Sequence, residues 1–456
     1  MIARFKRLVP RSLIAHYHAG LAWVANVAYR HPSAHLRVVG VTGTNGKTTT
    51  SVMIARGLEA LGPSGLTSTA LMKIGDKTWV NDTKMTMPGR FFLQRMLRKM
   101  IDAACTSVVV ETSSQGIIQS RHRGIAYDVA VFTNLTPEHI EAHGGFENYK
   151  RAKQELFTHT AQAPKKMWQG KQVPRAVVWN EEDAHASDMA AAFRQALPSG
   201  MEAYDVSYST KRIVVRRTSG DGVWHDEREY PVQVLEETGE GSRVRVGGAT
   251  LQVRLAGRHN VLNALASIAV CDVFDIDMQQ AVERVGSVAS VPGRLEFVDK
   301  GQAFRVLIDY APEPASMAAL YATVANIPHA RILHVFGKCG GGRDRASRGP
   351  LGALVASQAD VTIITNEDPY DDDPWEIIHE VAAGARGAGK KDGETLFEVL
   401  DRGEAIHQAI AMAQPNDLVV ITGKGHEPWM CVANGKKIPW SDRGEAEHAL
   451  QTKTTL

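Results

Sequence analysis

The sequence predicts an α/β protein of two layered domains, a central one with a small β-rich insertion and a C-terminal one of Rossmann-like build. Three observations carry this. Apolar runs of strand length alternate with helical patterns, as parallel α/β layers require. A glycine-rich turn stands between the first run, residues 36–41, and a helical stretch at 47–61. Each later run ends in a loop rich in Gly, Asp, Asn or Pro, and open α/β sheets bind ligands outside the carboxyl ends of their strands.

Taken in order, residues 1–37 read as a short helical segment. Its start is basic (Arg4, Lys6, Arg7, Arg11), and an apolar stretch follows at 13–29. His16, His18 and Asn26 interrupt that stretch, and no small-residue cleavage site follows it, which argues against a secretory leader. It is too short and too polar to span a bilayer comfortably. An amphipathic helix packed on the next domain is expected, with a peripheral membrane contact through the basic side as the alternative. The central domain covers 38–291, with strands at 36–41, 107–110, 128–132 and 176–179. Residues 205–256 hold short β-rich pieces with Gly and charged turns and read as a small antiparallel insertion; a helix follows at 260–274. The C-terminal domain covers 292–456, with strands at 304–309, 332–336, 361–365 and 418–422 and helices between them, one at 374–383.

Composition narrows the function. Of 456 residues, 44% are apolar and 22% charged, which excludes a disordered or collagen-like chain. Lys and Arg number 52 against 50 Asp and Glu, a net charge of +2, so no basic field calls for nucleic acid. The four cysteines (Cys105, Cys271, Cys339, Cys431) form no C-x-x-C pair, so neither a zinc site nor a disulfide framework is signalled. A reducing, cytoplasmic compartment is expected.

The most informative segment is Gly40-Val41-Thr42-Gly43-Thr44-Asn45-Gly46-Lys47-Thr48-Thr49. A strand enters a Gly-rich turn that opens a helix, whose N-terminal N–H groups and dipole suit phosphate. Lys47 would reach the β- and γ-phosphates, and the Thr48 hydroxyl would bind Mg²⁺. The strict phosphate-loop spacing wants Gly at 41 and finds Val41, with Gly43 two residues later, so this is a variant loop.

Three further residues stand near strand ends. Glu111 closes an apolar run, and Mg²⁺ prefers hard oxygen ligands; a helix-capping Glu is an equal alternative. His139 follows another strand within Thr133-Asn134-Leu135-Thr136-Pro137-Glu138-His139, and a lone His there is usually a structural hydrogen-bonder. Lys153 lies on an apparent helix after Tyr149, where a lysine is usually a solvated charge.

Together these segments resemble the Mur ligase family, which makes amide bonds with ATP in peptidoglycan-precursor synthesis. The loop is similar to the family's Thr-Asn-Gly-Lys-Thr, with Thr44, Asn45, Gly46, Lys47, Thr48 and Thr49 implied as ATP contacts. Thr133 to His139 and then Tyr149 to Lys153 are similar to the family's Asn-Leu-Thr-x-Asp-His and Tyr-x-x-Ala-Lys. The resemblance implies two Mg²⁺ ions held by Thr48, Glu111, His139 and a CO₂-derived carbamate on Lys153. A carbamate turns a cation into an anionic oxygen ligand, which suits a hard metal. Lys47, Glu111, His139 and Lys153 are then the catalytic set, with Glu138 replacing the family's Asp.

Ser113 to Arg121 resembles the MurE-like branch, which adds the third amino acid to UDP-N-acetylmuramoyl-L-Ala-D-Glu. Ser113 and Arg121 are implied as acceptor contacts, Arg because its planar fork suits a carboxylate. Thr86-Met87-Pro88 stands for Thr-Thr-Pro, leaving Thr86 as the one hydroxyl. Only 37 residues precede the Val38 strand, whereas the branch carries an N-terminal domain that grips UDP. The expectation is a substrate without UDP, one held differently, or a protein partner in place of that domain.

Asn260, in Gly257-Arg258-His259-Asn260, resembles the family's ATP-contacting Asn. Arg294, in Pro292-Gly293-Arg294, is implied to reach the phosphates, and Asp309 the ribose, with Pro312 where the family has His. Arg343 is implied for the incoming amino acid's carboxylate, with Arg345 or Arg348 as substitutes. Glu367-Asp368-Pro369-Tyr370 stands where diaminopimelate enzymes have Asp-Asn-Pro-Arg, so Tyr370 brings no cation and Asp368 adds a negative charge that suits a side-chain ammonium. Gly423 and Glu427, in Gly423-Lys424-Gly425-His426-Glu427, complete the implied amino-acid site.

The resulting expectation is an ATP-dependent ligase joining a free amino acid to a muramoyl-peptide-type acceptor through an acyl phosphate. A folylpolyglutamate synthetase is one rival, though its loops usually read Gly-Lys-Gly-Ser. A catalytically inactive nucleotide-binding partner subunit is the other, motivated by Pro312 and the short N-terminus.

Overall fold

The computed structural model describes residues 11–137, 143–218, 221, 223–342 and 345–454. The chain divides into two compact units. The first gathers Met1–Glu237, Gly241–Arg254 and Arg258–Ala289; the second gathers Thr238–Glu240, Leu255–Gly257 and Ser290–Leu456.

The first unit runs α1 (Arg11–Ala28), β1 (Arg37–Thr42), α2 (Lys47–Leu58), β2 (Ser64–Thr67), β3 (Leu71–Ile74), β4 (Lys77–Val80), α3 (Arg90–Asp102), β5 (Ser107–Glu111) and α4 (Ser114–Ile118). It continues with β6 (Val129–Phe132), α5 (Phe146–Gln162), the small hairpin β7 (Met167–Trp168) and β8 (Lys171–Gln172), β9 (Ala176–Asn180) and α6 (Ala186–Ala196). Then come β10 (Ala203–Tyr208), β11 (Arg212–Thr218), β12 (Trp224–Thr238), β13 (Gly241–Val246), β14 (Ala249–Val253), α7 (Arg258–Val273) and α8 (Met278–Gly286).

Twelve strands form one sheet in the order β14-β13-β12-β11-β10-β9-β6-β1-β5-β2-β3-β4. Its centre is parallel, and β5 and β6 are buried along their whole length. Strands covered on both faces read as continuous apolar runs, which is why they were legible in the sequence. Val39 of β1 is level with Val109 of β5 and with Val129 of β6. Gly40 is required here, because a Cβ would stand 2.7 Å from the buried ring of Tyr127.

The expected antiparallel β-rich stretch is present, and it continues the main sheet: β10 pairs parallel with β9, and β11 to β14 extend the same sheet as an antiparallel meander. The opposite edge, β3 and β4, was not foreseen; β3 turns back antiparallel on β2. α1 packs through buried Ala22 and Ala25 and lies against α3. No helix of the described residues is long and apolar enough to cross a membrane.

The second unit comprises β15 (Glu296–Val298), β16 (Arg305–Asp309), α9 (Pro314–Val324), β17 (Ile332–Phe336), α10 (Arg348–Gln358), β18 (Val361–Thr365) and α11 (Pro374–Gly387). β19 (Leu396–Val399), α12 (Arg402–Met412), β20 (Leu418–Thr422), the hairpin β21 (Trp429–Val432) and β22 (Lys436–Pro439), and α13 (Asp442–Thr454) complete it. Its sheet order is β15-β16-β20-β17-β18-β19, parallel except for β15. Helix starts follow local chemistry: Asp373 and Asp401 cap α11 and α12, and Pro374 opens α11 with the φ it already prefers. Arg402 and Asp442 form a fully buried bidentate ion pair that ties α12 to α13.

Candidate active site

The phosphate loop spans residues 43–46, between β1 and α2. β1 continues through Thr42, so Val41 is an interior strand residue, level with Glu111 of β5 and Val131 of β6. The chain bends only at Gly43, which explains why the glycine of this variant loop stands there. A Cβ on Gly43 would lie 1.9 Å from Thr133 Oγ1. Gly46 has φ +80°, and a Cβ there would lie 2.4 Å from Asn263 Oδ1.

A ring of side chains fixes the loop from outside. Thr44 N–H donates to the Asn134 carbonyl at 2.8 Å and Asn45 N–H to Asn134 Oδ1 at 2.8 Å. Thr133 Oγ1 donates to the Asn45 carbonyl at 2.7 Å. Thr44 Oγ1 also meets Tyr149 Oη at 3.1 Å. Lys47 curls back so that Nζ donates to the Thr44 carbonyl at 2.6 Å. On α7, Asn263 accepts from Thr50 Oγ1 at 3.0 Å and donates to Asn260 Oδ1 at 3.0 Å, so Asn260 is buried beside the start of α2.

The Mg²⁺ expectation meets a suitable donor set. Thr48 Oγ1 donates to Glu111 Oε2 at 3.0 Å, and both groups are buried at the end of the parallel sheet. Glu111 also accepts from Thr69 N–H at 2.7 Å and from Thr69 Oγ1 at 2.8 Å. A carboxylate and a hydroxyl at a helix N-terminus are hard oxygen ligands of the kind Mg²⁺ takes. Lys153 is no solvated charge: it is buried, and Nζ donates to the Gly43 carbonyl at 2.5 Å beneath the loop, over the Tyr149 ring. His139 and Glu138 lie outside the described residues.

The residues expected to hold the acceptor make local contacts on the same side as Thr69, the partner of Glu111. Thr69 Oγ1 donates to Thr86 Oγ1 at 2.9 Å. Ser113 caps α4 by accepting from Gly116 N–H at 3.1 Å. Arg121 donates to the Met87 carbonyl and, at 2.6 Å, to Gln119 Oε1. Arg90, which sequence reasoning missed, donates to the Gln119 carbonyl, and its Nε is buried with no partner among the described residues. Burial first, and then the neighbouring Arg90, pull the Arg121 guanidinium below its ordinary value; burial does the same to Arg90. Two guanidiniums thus share a partly buried site in which, among the described residues, their hydrogen bonds go to neutral oxygens, the arrangement that takes an anion.

In the second unit, Asp309 accepts from Leu295 N–H and Ala311 N–H, both at 2.8 Å, which pins the loop after β16. Arg294 stacks over the Tyr310 ring at 4.6 Å. Arg343 lies outside the described residues. Its expected substitutes are engaged: Arg345 pairs with Glu376 and Glu380, and Arg348 with Glu380 at 2.7 Å. Asp368, whose negative charge is expected to suit a side-chain ammonium, and Glu427 share a lysine of the chain itself. Buried Lys424 donates to Asp368 at 2.9 Å and to Glu427 at 2.5 Å, and Asp368 also accepts from Cys431 N–H at 2.7 Å. Tyr370 packs on the glycine loop, so that a Cβ on Gly341 would lie 2.8 Å from its ring. Gly423, at φ +109°, lets the Glu367 carboxyl approach, with Oε2 at 2.5 Å from where a Cβ would be.

Residues 41–271 match the Mur ligase middle domain, and residues 293–425 match the Mur ligase glutamate ligase domain. The chain belongs to the Mur ligase family. A UDP-N-acetylmuramyl-tripeptide synthetase of Roseiflexus sp. is 36% identical over 97% of this chain and 84% of its own length. A UDP-N-acetylmuramoyl-L-alanyl-D-glutamate--2,6-diaminopimelate ligase of Geobacillus kaustophilus is 32% identical over 98% of this chain and 85% of its own. A solved structure of a ligase with that same name superposes with a TM-score of 0.58 at 27% identity, covering 92% of this chain and 79% of that one. The folylpolyglutamate synthase of Mycobacterium tuberculosis, at 17% identity and a TM-score of 0.62 over 91% of this chain and 96% of that one, shares the fold alone.

Within this Mur ligase, Thr69 and Arg90 are the residues sequence reasoning passed over. Thr69 carries no local signal, since it meets Glu111 only through the parallel pairing of β2 with β5. Arg90 follows the Thr86-Met87-Pro88 element by two residues, and an arginine placed there was the available hint.

The loop geometry generates a stability and binding expectation. Gly43→Ala forces a methyl group against Thr133 and the backbone of Asn134. Overpacking of this kind costs about 1–3 kcal/mol. The variant should unfold at a lower temperature and lose roughly tenfold or more in nucleotide affinity by calorimetry; wild-type affinity would show that the bend at 43 does not shape the loop.

Proposed function

We propose that this Mur ligase joins an amino acid to a muramoyl-peptide-type acceptor in peptidoglycan-precursor synthesis, driven by ATP through an acyl phosphate. The observation that carries it is the convergence of Lys47, the Thr48–Glu111 pair and buried Lys153 on one glycine loop. The identities over nearly the whole chain support the acceptor class.

The chemistry divides in two. An acceptor carboxylate oxygen attacks the γ-phosphorus, the bond from phosphorus to the β,γ-bridging oxygen breaks, and ADP departs. The amino acid's neutral amine then attacks the acyl carbon, the carbon–oxygen bond to phosphate breaks, and the amine proton is lost. Carboxylates do not condense with amines unaided at neutral pH, so the phosphoryl group supplies the leaving group. Loop N–H groups and Lys47 hold the transferring phosphoryl charge. Mg²⁺ would be held by Thr48 and Glu111, and a second ion by His139 and a carbamate on Lys153; bound there, the ions supply neutralisation of phosphate charge. Asn260, Arg294 and Asp309 would contact the nucleotide, and Arg343, Tyr370, Gly423 and Glu427 the amino acid. Thr86, Ser113 and Arg121, with Arg90, would hold the acceptor.

The test of this reading is phosphate release on mixing ATP, acceptor and amino acid. Lys47→Ala and Lys153→Ala should both lose it; Lys47→Ala should melt like the wild type, whereas Lys153→Ala should melt lower, because it removes a buried side chain and the partner of the Gly43 carbonyl. Short carboxylates added to the assay should partly restore Lys153→Ala alone, because they replace the carbamate oxygens. Wild-type turnover in Lys47→Ala would end the proposal.

Acceptor binding should depend on both guanidiniums. Hydrogen bonds to charged groups contribute about 1.5–3 kcal/mol, so Arg90→Ala and Arg121→Ala should each raise the acceptor KM roughly tenfold or more. An unchanged KM in Arg90→Ala would confine recognition to Arg121.

Amino-acid choice should run through position 370. A buried carboxylate without a partner is costly, and Tyr370 offers none to the distal carboxylate of diaminopimelate. Tyr370→Arg should raise kcat/KM for meso-diaminopimelate against L-lysine by about tenfold, the scale of one charge-assisted contact. An unchanged ratio would show that selection lies elsewhere.

A further inference from the structure

Helices that face water ordinarily carry charge on the outward side. Beyond its first residue, Arg11, α1 carries none: residues 12–29 contain no Asp, Glu, Lys or Arg. Its packed stripe consists of the small residues Ala22 and Ala25, and Gly124 comes so close that a Cβ there would touch the Ala22 carbonyl at 3.0 Å. The outward side shows Tyr17 and Trp23, each more than three-fifths exposed at 63% and 65%, with Val24 and Val27 beside them. Positions 17, 20, 24 and 27 repeat at three and four residues, so they form one continuous face.

In the sequence, cations stand on both sides of this stretch: Arg4, Lys6, Arg7 and Arg11 precede it, and Arg30, which is exposed, follows it. Trp23 also borders a groove of about 420 Å³ together with Arg123, whose carboxylate contact, Glu155, is 3.5 Å away. We propose that α1 seats the protein on an anionic lipid surface, lying in the headgroup plane with Trp23, Val24 and Val27 toward the acyl boundary.

Charge decides for lipid over a second copy of the chain. Two α1 helices paired antiparallel across a two-fold axis would set the Arg11 end of one beside the Arg30 end of the other, with no acidic residue along either helix to offset the charge. A bilayer of anionic lipid supplies the missing negative charge and accepts the aromatic and aliphatic side chains in one step. Spanning is excluded by the length and polarity of the helix, so the contact is peripheral. This inference does not depend on the ligase reading.

The full chain should co-sediment with vesicles of phosphatidylglycerol and phosphatidylcholine. Binding should drop about tenfold or more on vesicles of phosphatidylcholine alone, and likewise at high salt, as screening requires. Val24→Glu combined with Val27→Glu changes only exposed positions, so its melting temperature should hold while vesicle binding falls by at least about tenfold. Absence of binding to the anionic vesicles, or full binding by the double variant, would overturn the proposal. A wild-type dimer in light scattering that becomes a monomer in the double variant, without vesicle binding in either, would assign the face to a second copy instead.

Discussion

The register of β1 between β5 and β6 is the constraint on which the first unit's chemistry depends. Val41 is level with Glu111 on one side, and Thr42 is level with Phe132 on the other. The three strands therefore end together, and their following residues meet: the loop at 43–46, the carboxylate of Glu111, and Thr133 with Asn134. A shift of one residue in either pairing would turn Glu111 away from Thr48 and remove Asn134 from the loop amides. Parallel pairing makes such a convergence natural, because every strand delivers its carboxyl end to the same edge.

Around that edge, one set of buried polar groups is held together by mutual hydrogen bonds. Glu111 satisfies Thr48 and Thr69, Thr69 reaches Thr86, and Lys153 closes the loop from beneath. Buried polar groups are tolerated when each has a partner, and a set satisfied in this way gives a single arrangement. The Arg90–Arg121 pair departs from the pattern: like charges stand together in partial burial, bonded to neutral oxygens. An arrangement that costs free energy by itself is expected where a ligand supplies the opposite charge.

The second unit shows the reverse case. Lys424 lies between Asp368 and Glu427, and Arg402 is joined to Asp442, so the buried charges there are largely matched within the chain. On the proposed function, selectivity at this unit would rest on what is uncharged, above all Tyr370 at the turn after β18.

By itself, the sequence determined the fold class, the strand ends that matter and the glycine loop. Strands buried on both faces must be apolar throughout, and a loop that bends at φ values closed to other residues must be glycine. It also determined the family, through short motifs in a constant order. The tertiary structure alone decided the rest. Thr69 and Glu111 are 42 residues apart and meet only through sheet pairing. The meander of β10 to β14 joined the main sheet because its first strand pairs with β9, a contact that local alternation does not encode. The ion pair that Asp368 makes is with Lys424, 56 residues further on, brought to it by the fold. Local pattern reports which side chains must be buried; which of them meet is a property of register and packing, and it is those meetings that make the site.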